Sequence, residues 1–353
     1  MYHPLAPQAC GACPTIETMP TDQLPSHTSG AEKANRTSPP GPAAAQPRIR
    51  IEYRRTADEL DGVLAAVRFG EAPRPSPAPF TIDVRLTPLN GSPTIEAWLA
   101  NGAVRTGTDG LVRYAHDDGF LFAAIELDEH AHGGVHDATR RAYQELVRFQ
   151  RTSSFPHLLR IWNYLDAINE GDGDQERYRQ FCVGRTLGVD GAFVGGFPAA
   201  TAIGRQSRTG QLQVFWMAAL EAGAPIENPR QVSAWRYPRT YGPASPTFSR
   251  ATRTADGAML ISGTASIVGH ASLHEENADA QLEETLRNLE ALISQTSDDG
   301  SRLLFKVYLR RPEYAAEIER RIRQSQPHTP LMIFAADVCR AELLVEIEGV
   351  RLT

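Results

Sequence analysis

The sequence predicts an α+β fold in which two successive halves each layer a β-sheet against helices. Two observations favour this class. From residue 48 onward, short apolar runs with strand alternation recur, and segments with helical periodicity stand between them. The second half also repeats the rhythm of the first. We therefore expect an N-terminal α+β domain at residues 48–205 and a C-terminal α+β domain at residues 206–353.

Residues 1–47 differ from the rest of the chain. They hold nine of the 25 prolines and one aromatic residue, Tyr2, so we expect a disordered tail. The tail contains Cys10 and Cys13 in a CxxC spacing. A redox or zinc role would need a βαβ context or a second CxxC, and neither is present, so we interpret the pair as ordinary tail thiols.

The first half is predicted to alternate between strands and helices. Alternating apolar residues predict strands at 49–55, 80–86, 95–100, 112–118 and 120–129. Helical patterns predict a short helix at 56–70 with Thr56 as its N-cap, two helices within 138–168 broken before Pro156, and a further helix at 172–188.

The second half repeats this alternation. Strands are predicted at 212–220, 258–269, 301–311, 330–339 and 343–352. Between them, residues 278–295 carry a Leu/Ile stripe typical of an amphipathic helix, and Pro312 opens a helix at 312–325. The Pro-rich segment 228–252 is expected to be an ordered loop or a sheet edge.

Composition excludes several classes of protein. Hydrophobic residues make up 41% and charged residues 22%, which suits a globular core. The net charge of -6 argues against a nucleic-acid binder. No apolar run is long enough to span a membrane, and the N-terminus lacks a secretory signal pattern. Four cysteines make no disulfide framework, so we expect a cytoplasmic protein.

Two Arg- and aromatic-rich segments are candidate anion-binding elements. On the predicted helix after Pro156, His157, Arg160 and Tyr164 share one face. The segment 228–251 combines arginines, including Arg250, with Trp and Tyr residues such as Tyr241. Arginine suits carboxylates because its planar fork matches two oxygens. A solvated helix face and an irregular sheet edge are the alternative interpretations.

Two further segments have functional potential. Residues 262–270 are small and would let a ligand approach the backbone, although tight strand packing explains them equally. In the last strand, alternation separates Glu346 and Glu348 from Val345 and Ile347. A carboxyl group buried on a sheet is a candidate general acid if it is protonated. A solvated sheet face is the alternative.

No cofactor or metal site is expected. His130, His132 and His136 lie in a Gly-containing stretch, which we interpret as a polar loop. Phosphate-binding Gly loops, dinucleotide fingerprints and GxSxG elbows do not occur in the sequence.

Five sequence blocks together resemble the chorismatase family, and in particular its xanthomonad-type bifunctional 3-hydroxybenzoate synthase branch. The blocks lie at 155–185, 196–204, 225–251, 262–272 and 339–349, and the resemblance covers about residues 50–353. The block SGTAS, the Leu/Ile-striped helix and the closing VEIEGV are also similar to the YjgF/RidA fold. The resemblance therefore implies that residues 206–353 form a YjgF/RidA-like catalytic domain, a chorismate mutase-like α+β layer.

The resemblance implies an activity. Family members cleave the enolpyruvyl ether of chorismate by acid catalysis, which gives 3-hydroxybenzoate and/or 4-hydroxybenzoate plus pyruvate for pigment and ubiquinone precursors. One alternative is a hydrolase that stops at trans-3,4-dihydroxycyclohexa-1,5-diene carboxylate. Another is a YjgF-like protein that binds small ligands or hydrolyses imines. No cofactor is implied, although relatives have been labelled pteridine-dependent deoxygenase-like. Chorismate is the implied partner of a monomer or homotrimer.

The resemblance also implies roles for individual residues. The first Glu of VEIE, Glu346, is the acid, and Arg160 and Arg250 bind the two carboxylates of chorismate. The same blocks place Tyr164 and Tyr241 at the substrate. Ala251 and Cys339 match the positions at which family subtypes differ, so we expect them to shape the choice of product.

Overall fold

The computed structural model describes residues 47–56, 60–70, 78–193, 196–296 and 301–353. The predicted tail, with Cys10 and Cys13, lies outside the described residues except for Pro47.

Strands dominate the described part of the chain. In chain order they are β1 (Ile51–Arg54), β2 (Val63–Phe69), β3 (Thr81–Val84), β4 (Thr87–Pro88), β5 (Ile95–Leu99), β6 (Arg105–Asp109), β7 (Val112–His116), β8 (Phe120–Asp128), β9 (His157–Asp166), β10 (Ala199–Arg205), β11 (Gln211–Ala219), β12 (Ala224–Ile226), β13 (Ala251–Arg253), β14 (Met259–Ala265), β15 (Ile267–Val268), β16 (Ala271–Ser272), β17 (Arg302–Leu309), β18 (Leu331–Ala335), β19 (Asp337–Val338) and β20 (Val345–Leu352). The α-helices are α1 (Val135–Thr152), α2 (Arg177–Val189), α3 (Ala278–Ile293) and α4 (Ala315–Ser325).

Two seven-stranded sheets carry the fold. One has the order β19-β10-β9-β11-β8-β7-β6, and the other has the order β12-β13-β14-β20-β17-β18-β4. A four-stranded sheet, β1-β5-β2-β3, joins them around a shared apolar core that includes Phe69, Trp162, Phe215 and Phe334. Helices α1 and α2 cover the outer face of the first large sheet, and α3 and α4 cover that of the second. The predicted α+β class is confirmed.

The C-terminal elements follow the predicted order. Strand β14 is followed by α3, β17, α4, β18 and β20. The stripe on α3 packs inward, with Leu282 and Leu289 buried, because burying one apolar face is what stabilises a helix on a sheet. In this half Val345 and Ile347 point to the helix side, so Glu346 and Glu348 point to the opposite side, into the protein.

The predicted helix at the end of 138–168 is wrong. Residues 157–166 form β9, a central strand that pairs with β10 in parallel and with β11 in antiparallel orientation. All its residues from Leu159 to Leu165 are buried, so apolar residues occupy both faces and the period-2 signal is lost. On the strand, Arg160 and Tyr164 share one face. An irregularity in the pairing with β11 interrupts the alternation between Leu158 and Arg160, and His157 pairs with Ala219 at the start of the strand.

A second helix prediction is also wrong, because residues 63–69 form β2. This strand lies between β3 and β5, and Val63 to Val67 are all buried. The same loss of alternation explains the error, and no helix begins at Thr56 in the described residues. The predicted domain boundary after Arg205 falls between β10 and β11, which belong to the same large sheet. The division into two domains stays a prediction.

Candidate active site

A cavity of about 390 Å³ lies where the last strand of the second sheet meets helix α2 and the Pro-rich segment 237–250. This volume suits a small organic molecule. Its lining includes Glu176, Tyr178, Arg179, Tyr237, Tyr241, Phe248, Arg250, Gly263, Cys339, Arg340, Glu342 and Glu346. Three guanidinium groups therefore face two carboxylates besides Glu346, which gives the cavity a cationic excess suited to an anionic ligand.

Glu346 lies in β20 with only 5% of its surface exposed. It pairs with Ala265 of β14, next to an irregularity in the register between Ile261 and Thr264. Burial, and then the negative charge of Glu348, raise the pKa of Glu346 to about 8, against the opposing effect of two arginines. Near neutral pH the carboxyl group is therefore mostly protonated and can donate a proton.

Glu348, two residues further along the strand, has the opposite environment. Its oxygens lie 2.5 Å from Nη2 of Arg160 and 2.5 Å from Nζ of Lys306, and the hydroxyls of Thr201 and Tyr308 donate to them at 2.5 and 3.0 Å. Burial alone would raise its pKa, but Lys306 and Arg160 lower the pKa of Glu348 to about 2. The strand thus carries a protonated and an ionised carboxyl group side by side.

Arg160 is the cation that connects this buried network to the acid. It is 2% exposed, and besides Glu348 its Nη2 also donates to Oγ1 of Thr201. Its Nη1 is buried and has no hydrogen-bond partner among the described residues, and Arg160 does not line the cavity. The predicted role in carboxylate binding stays a prediction, whereas the contact with Glu348 is direct.

Tyr164 lies deeper in the same network. Its hydroxyl is 3.0 Å from that of Tyr308, and the side chain is fully buried. Burial raises its pKa above the usual value of a tyrosine. Because Tyr164 does not line the cavity, the geometry favours a supporting role over the direct substrate contact that we predicted.

Arg250, a predicted substrate-binding residue, lines the cavity. Only 3% of its surface is exposed. Its Nη2 donates to the carbonyl of Val232 at 2.9 Å and to the hydroxyl of Tyr237 at 2.7 Å. The guanidinium lies 5.2 Å from the ring centre of Phe248. Its Nε is buried and finds no hydrogen-bond partner in the part of the chain that the structure describes, which leaves a fixed donor for a ligand.

Arg340 is a cavity residue that the sequence reasoning missed. Its guanidinium lies 3.8 Å from the ring centre of Tyr241, and its Nη1 donates to the carbonyl of His270 at 2.9 Å. Its Nη2 is buried and has no partner within the described ranges of the chain. The available signal was its position in the block at 339–349, directly after Cys339. Tyr241 itself lines the cavity, as expected, and its hydroxyl is 3.3 Å from Nδ1 of His270.

The two residues expected to shape product choice lie in different places. Cys339 is half-buried and lines the cavity with Glu346; burial and then the charge of Glu346 raise the pKa of its thiol. Ala251 is fully buried on the helix side of the second sheet, in the apolar cluster with Met259 and Ile261. It does not line the cavity, so the geometry does not favour the direct contact that we predicted.

A larger cavity, of about 780 Å³, lies beside α1 and the start of β9. His157 lines this cavity, whereas Glu346, Arg160, Arg250 and Cys339 do not. In the described part of the chain, no helix has the length and apolar character needed to cross a membrane.

Comparison with known proteins identifies similar sequences and one similar fold. Residues 96–218 match the family model described as chorismatase FkbO/Hyg5-like, N-terminal. A 3-hydroxybenzoate synthase from Streptomyces hygroscopicus is 34% identical over 291 residues, which cover 76% of this chain and 84% of that protein. A chorismatase from Streptomyces rapamycinicus is 36% identical over 278 residues, 72% of this chain and 81% of that protein.

A solved chorismatase structure agrees with these sequence matches. A chorismatase crystal structure at 1.08 Å resolution matches with a TM-score of 0.76 and 30% identity, and covers 86% of this chain and 98% of its own. A member of the YjgF/YER057c/UK114 family from Mycobacterium tuberculosis also matches over 30% of this chain, with a TM-score of 0.24 and 20% identity.

Proposed function

We propose, from the premise that this chain belongs to the chorismatase family, that it is an enzyme that acts on chorismate and releases pyruvate by acid-catalysed cleavage of the enolpyruvyl ether. The observation that supports the chemistry is a buried carboxyl group, Glu346, which stays protonated near pH 7 in a cavity with guanidinium groups. Its substrate is a small molecule. The cytoplasmic location and the monomeric or trimeric assembly stay predictions.

Substrate binding follows from the charges. Chorismate is a dicarboxylate, and two arginines of the cavity, Arg250 and Arg340, each have a buried guanidinium nitrogen without a protein partner. We assign one substrate carboxylate to each, because a guanidinium buried against aromatic rings is rigid and pairs strongly with an oxyanion. Tyr237 and Tyr241 hold these two side chains in place. Arg160 then acts on Glu346 through its ion pair with Glu348, and its buried Nη1 is a further hydrogen-bond donor.

The reaction begins when Glu346 gives its proton to the terminal CH₂ carbon of the enolpyruvyl group. The ether carbon becomes an oxocarbenium ion, and the carboxylate left on Glu346 partly neutralises it. A nucleophilic oxygen then adds to this carbon and returns a proton to Glu346. If the ring hydroxyl attacks, a C–O bond of the ring breaks, and the ring carbon that keeps its oxygen loses its C–H proton, which makes the ring aromatic. The oxygen that stays on the ring takes up a proton as pyruvate leaves. The hydroxybenzoate and pyruvate together contain all the atoms of chorismate.

The lead product is 3-hydroxybenzoate, with or without 4-hydroxybenzoate. Two observations support it over the hydrolase product, which needs one added water. The relative named 3-hydroxybenzoate synthase is 34% identical to this chain over 291 residues, and the cavity wall beside Glu346 carries Cys339 rather than a smaller side chain. Family members named chorismatase are equally similar, so the hydrolase product remains the second candidate.

The test is incubation of the purified full chain with chorismate alone, followed by chromatographic separation of the aromatic and diene products and an assay for pyruvate. We expect pyruvate in equal amount to the sum of the ring products. Glu346→Gln should retain the fold and lose roughly 10²–10⁴ in kcat, because its amide has no acidic proton to transfer. Wild-type turnover in that variant, or no pyruvate from the wild-type protein, would contradict the proposal.

A further inference from the structure

A third cavity, of only about 40 Å³, adjoins Glu346. It shares part of its wall with the 390 Å³ cavity of the candidate active site: Tyr178, Pro246, Phe248, Gly263, Cys339 and Glu346. The rest of its lining comes from α2, from β10 and from the loop at 245–247. The volume is too small for any part of a ring substrate. It is sufficient for one water molecule, whose share of liquid volume is about 30 Å³.

Two residues that line this cavity, Arg185 and Thr247, have polar side-chain atoms that the described residues leave without a partner. Nε of Arg185 and Oγ1 of Thr247 are both buried and have no hydrogen-bond partner in the described part of the chain. Arg185 is 4% exposed, and its Nη2 donates to the carbonyl of Thr247 at 2.8 Å. Its guanidinium also lies 5.0 Å from the ring centre of Tyr143, so it is fixed in position. A buried guanidinium N–H is costly to leave unsatisfied, which points to a ligand that supplies an acceptor.

We propose that this small cavity is a water site that serves the acid. One ordered water accepts a hydrogen bond from Nε of Arg185, contacts Oγ1 of Thr247, and donates a hydrogen bond to the carboxylate of Glu346 once its proton has moved to the substrate. The water keeps both its protons, so the proton balance of the reaction is unchanged. The role assigned to the water rests on the proposed function, whereas the occupancy of the cavity does not.

The site would act on Glu346 together with the groups that already face it. These are Glu348 on the same strand, Arg160 of β9, Arg250 before β13, Tyr178 of α2 and Cys339 after β19. Among them, only the arginines favour the ionised form. Arg185 lines the same small cavity as Glu346, so a bridging water is the means by which its charge would reach the carboxylate.

The first arm of the test is a crystal structure of the wild-type chain at a resolution that shows solvent. We expect an ordered water within about 2.7–3.2 Å of both Nε of Arg185 and Oγ1 of Thr247. A cavity free of solvent density would overturn the proposal. This readout does not depend on activity, so it decides occupancy even if the chain fails to convert chorismate, and that failure would contradict only the proposed function.

The second arm is kinetic. Thr247→Val preserves shape and removes the hydroxyl, so kcat should fall roughly tenfold, with KM changed by less than about twofold. The alkaline limb of the rate profile should move to higher pH because the ionised form of Glu346 loses support. Thr247→Ser should restore most of the rate. Thr139→Val is the matched control, since it removes another buried, unpartnered hydroxyl, on α1, that lines neither cavity. A Thr247→Val enzyme with wild-type kcat and pH profile would overturn the role.

Discussion

The carboxyl group of Glu346 lies against the Cα of Gly263, so closely that a Cβ atom at position 263 would overlap with Oε1. Gly263 is a strand residue of β14, beside the irregularity in its pairing with β20. Its backbone N–H donates to Oγ1 of Thr201 at 2.9 Å, and Thr201 in turn donates to Glu348. The missing side chain is therefore what gives the acid its place, and the buried network holds that place fixed.

Gly263→Ala tests this relationship. The added methyl group should push the Glu346 carboxyl away from its present position, and a displacement of about 1 Å can cost on the order of 10² in rate. We expect kcat to fall by that order, while circular dichroism and the midpoint of thermal unfolding change little, since β14 keeps its other partners. Full activity in the alanine variant would show that the position of Glu346 tolerates movement.

The raised pKa of Glu346 also predicts a pH-dependent stability. Between pH 4.5 and about 8 the folded chain retains a proton on this group that the unfolded chain releases, so this group makes the protein less stable as pH rises through that window. Glu346→Gln removes the effect. We expect the variant to gain stability over the wild type between pH 5 and pH 9, by roughly 3 kcal/mol, in urea unfolding.

Glu317 provides a control of opposite sign for that measurement. Hydrogen bonds from Arg320 and Arg321 lower the pKa of Glu317 to about 2. Glu317→Gln should therefore lose a little stability relative to the wild type as pH rises from about 2 to 4.5, and show no further pH-dependent difference between pH 5 and pH 9; the effect is small because solvent screens the pair. If Glu346→Gln followed the wild type at every pH, Glu346 would not be held protonated in the folded chain.

Part of this site could be predicted from the sequence, because alternation in the last strand depends only on local spacing. On that basis Glu346 and Glu348 are predicted to lie on the face of the strand opposite Val345 and Ile347, and both carboxyl groups are buried. What spacing could not reveal is that the two differ in charge. That difference depends on Lys306 and Arg160, which reach Glu348 from other strands.

The errors have one physical origin. Strand β9 was predicted as a helix because its residues are apolar on both faces, and only its pairing with β10 and β11, which are distant in sequence, shows why. Arg340 was missed for a similar reason. Its role depends on Tyr241 and His270, which meet it only in the folded chain. Residues whose function is set by long-range packing are the ones that pattern alone does not identify.

The two carboxyl groups of β20 can be separated by mutation. Glu348→Gln removes the negative charge that helps to keep Glu346 protonated and frees Arg160, so the alkaline limb of the rate profile should move down from about pH 8 by at least about one unit. Glu96→Gln is the matched control: it also deprives Lys306 of a buried partner, at 2.7 Å, without being a neighbour of Glu346. Equal shifts in both variants would mean that the network acts only through stability.

The two arginines of the cavity should govern substrate affinity. Arg250→Lys and Arg340→Lys keep the charge but lose the planar fork and its contact with aromatic rings, so kcat/KM should fall roughly 10- to 100-fold in each. Arg208→Lys is the control, because that side chain is exposed and pairs only with Glu170. An unchanged kcat/KM for chorismate in both cavity variants would remove them from the binding site.

The last prediction concerns the choice of product, which depends on which oxygen reaches the oxocarbenium ion first. Cys339 lines the cavity with Glu346, so Cys339→Ala enlarges the space where a water would compete with the ring hydroxyl. One group of this size in a tight pocket is worth about 1–3 kcal/mol, or roughly 10- to 200-fold between competing paths. We expect more of the dihydrodiol and less 3-hydroxybenzoate, with total consumption of chorismate changed less than the product ratio.

Ala251→Gly gives the comparison. Ala251 is fully buried on the helix side of its sheet and does not line the cavity. It directly follows Arg250, which does, so we expect Ala251 to influence the cavity through that neighbour. The glycine should therefore shift the product ratio less than Cys339→Ala does. Chromatography of both reactions at equal conversion decides the point. A larger shift from Ala251→Gly would mean that the position of Arg250, and hence of a substrate carboxylate, selects the attacking oxygen, and the space beside Cys339 does not.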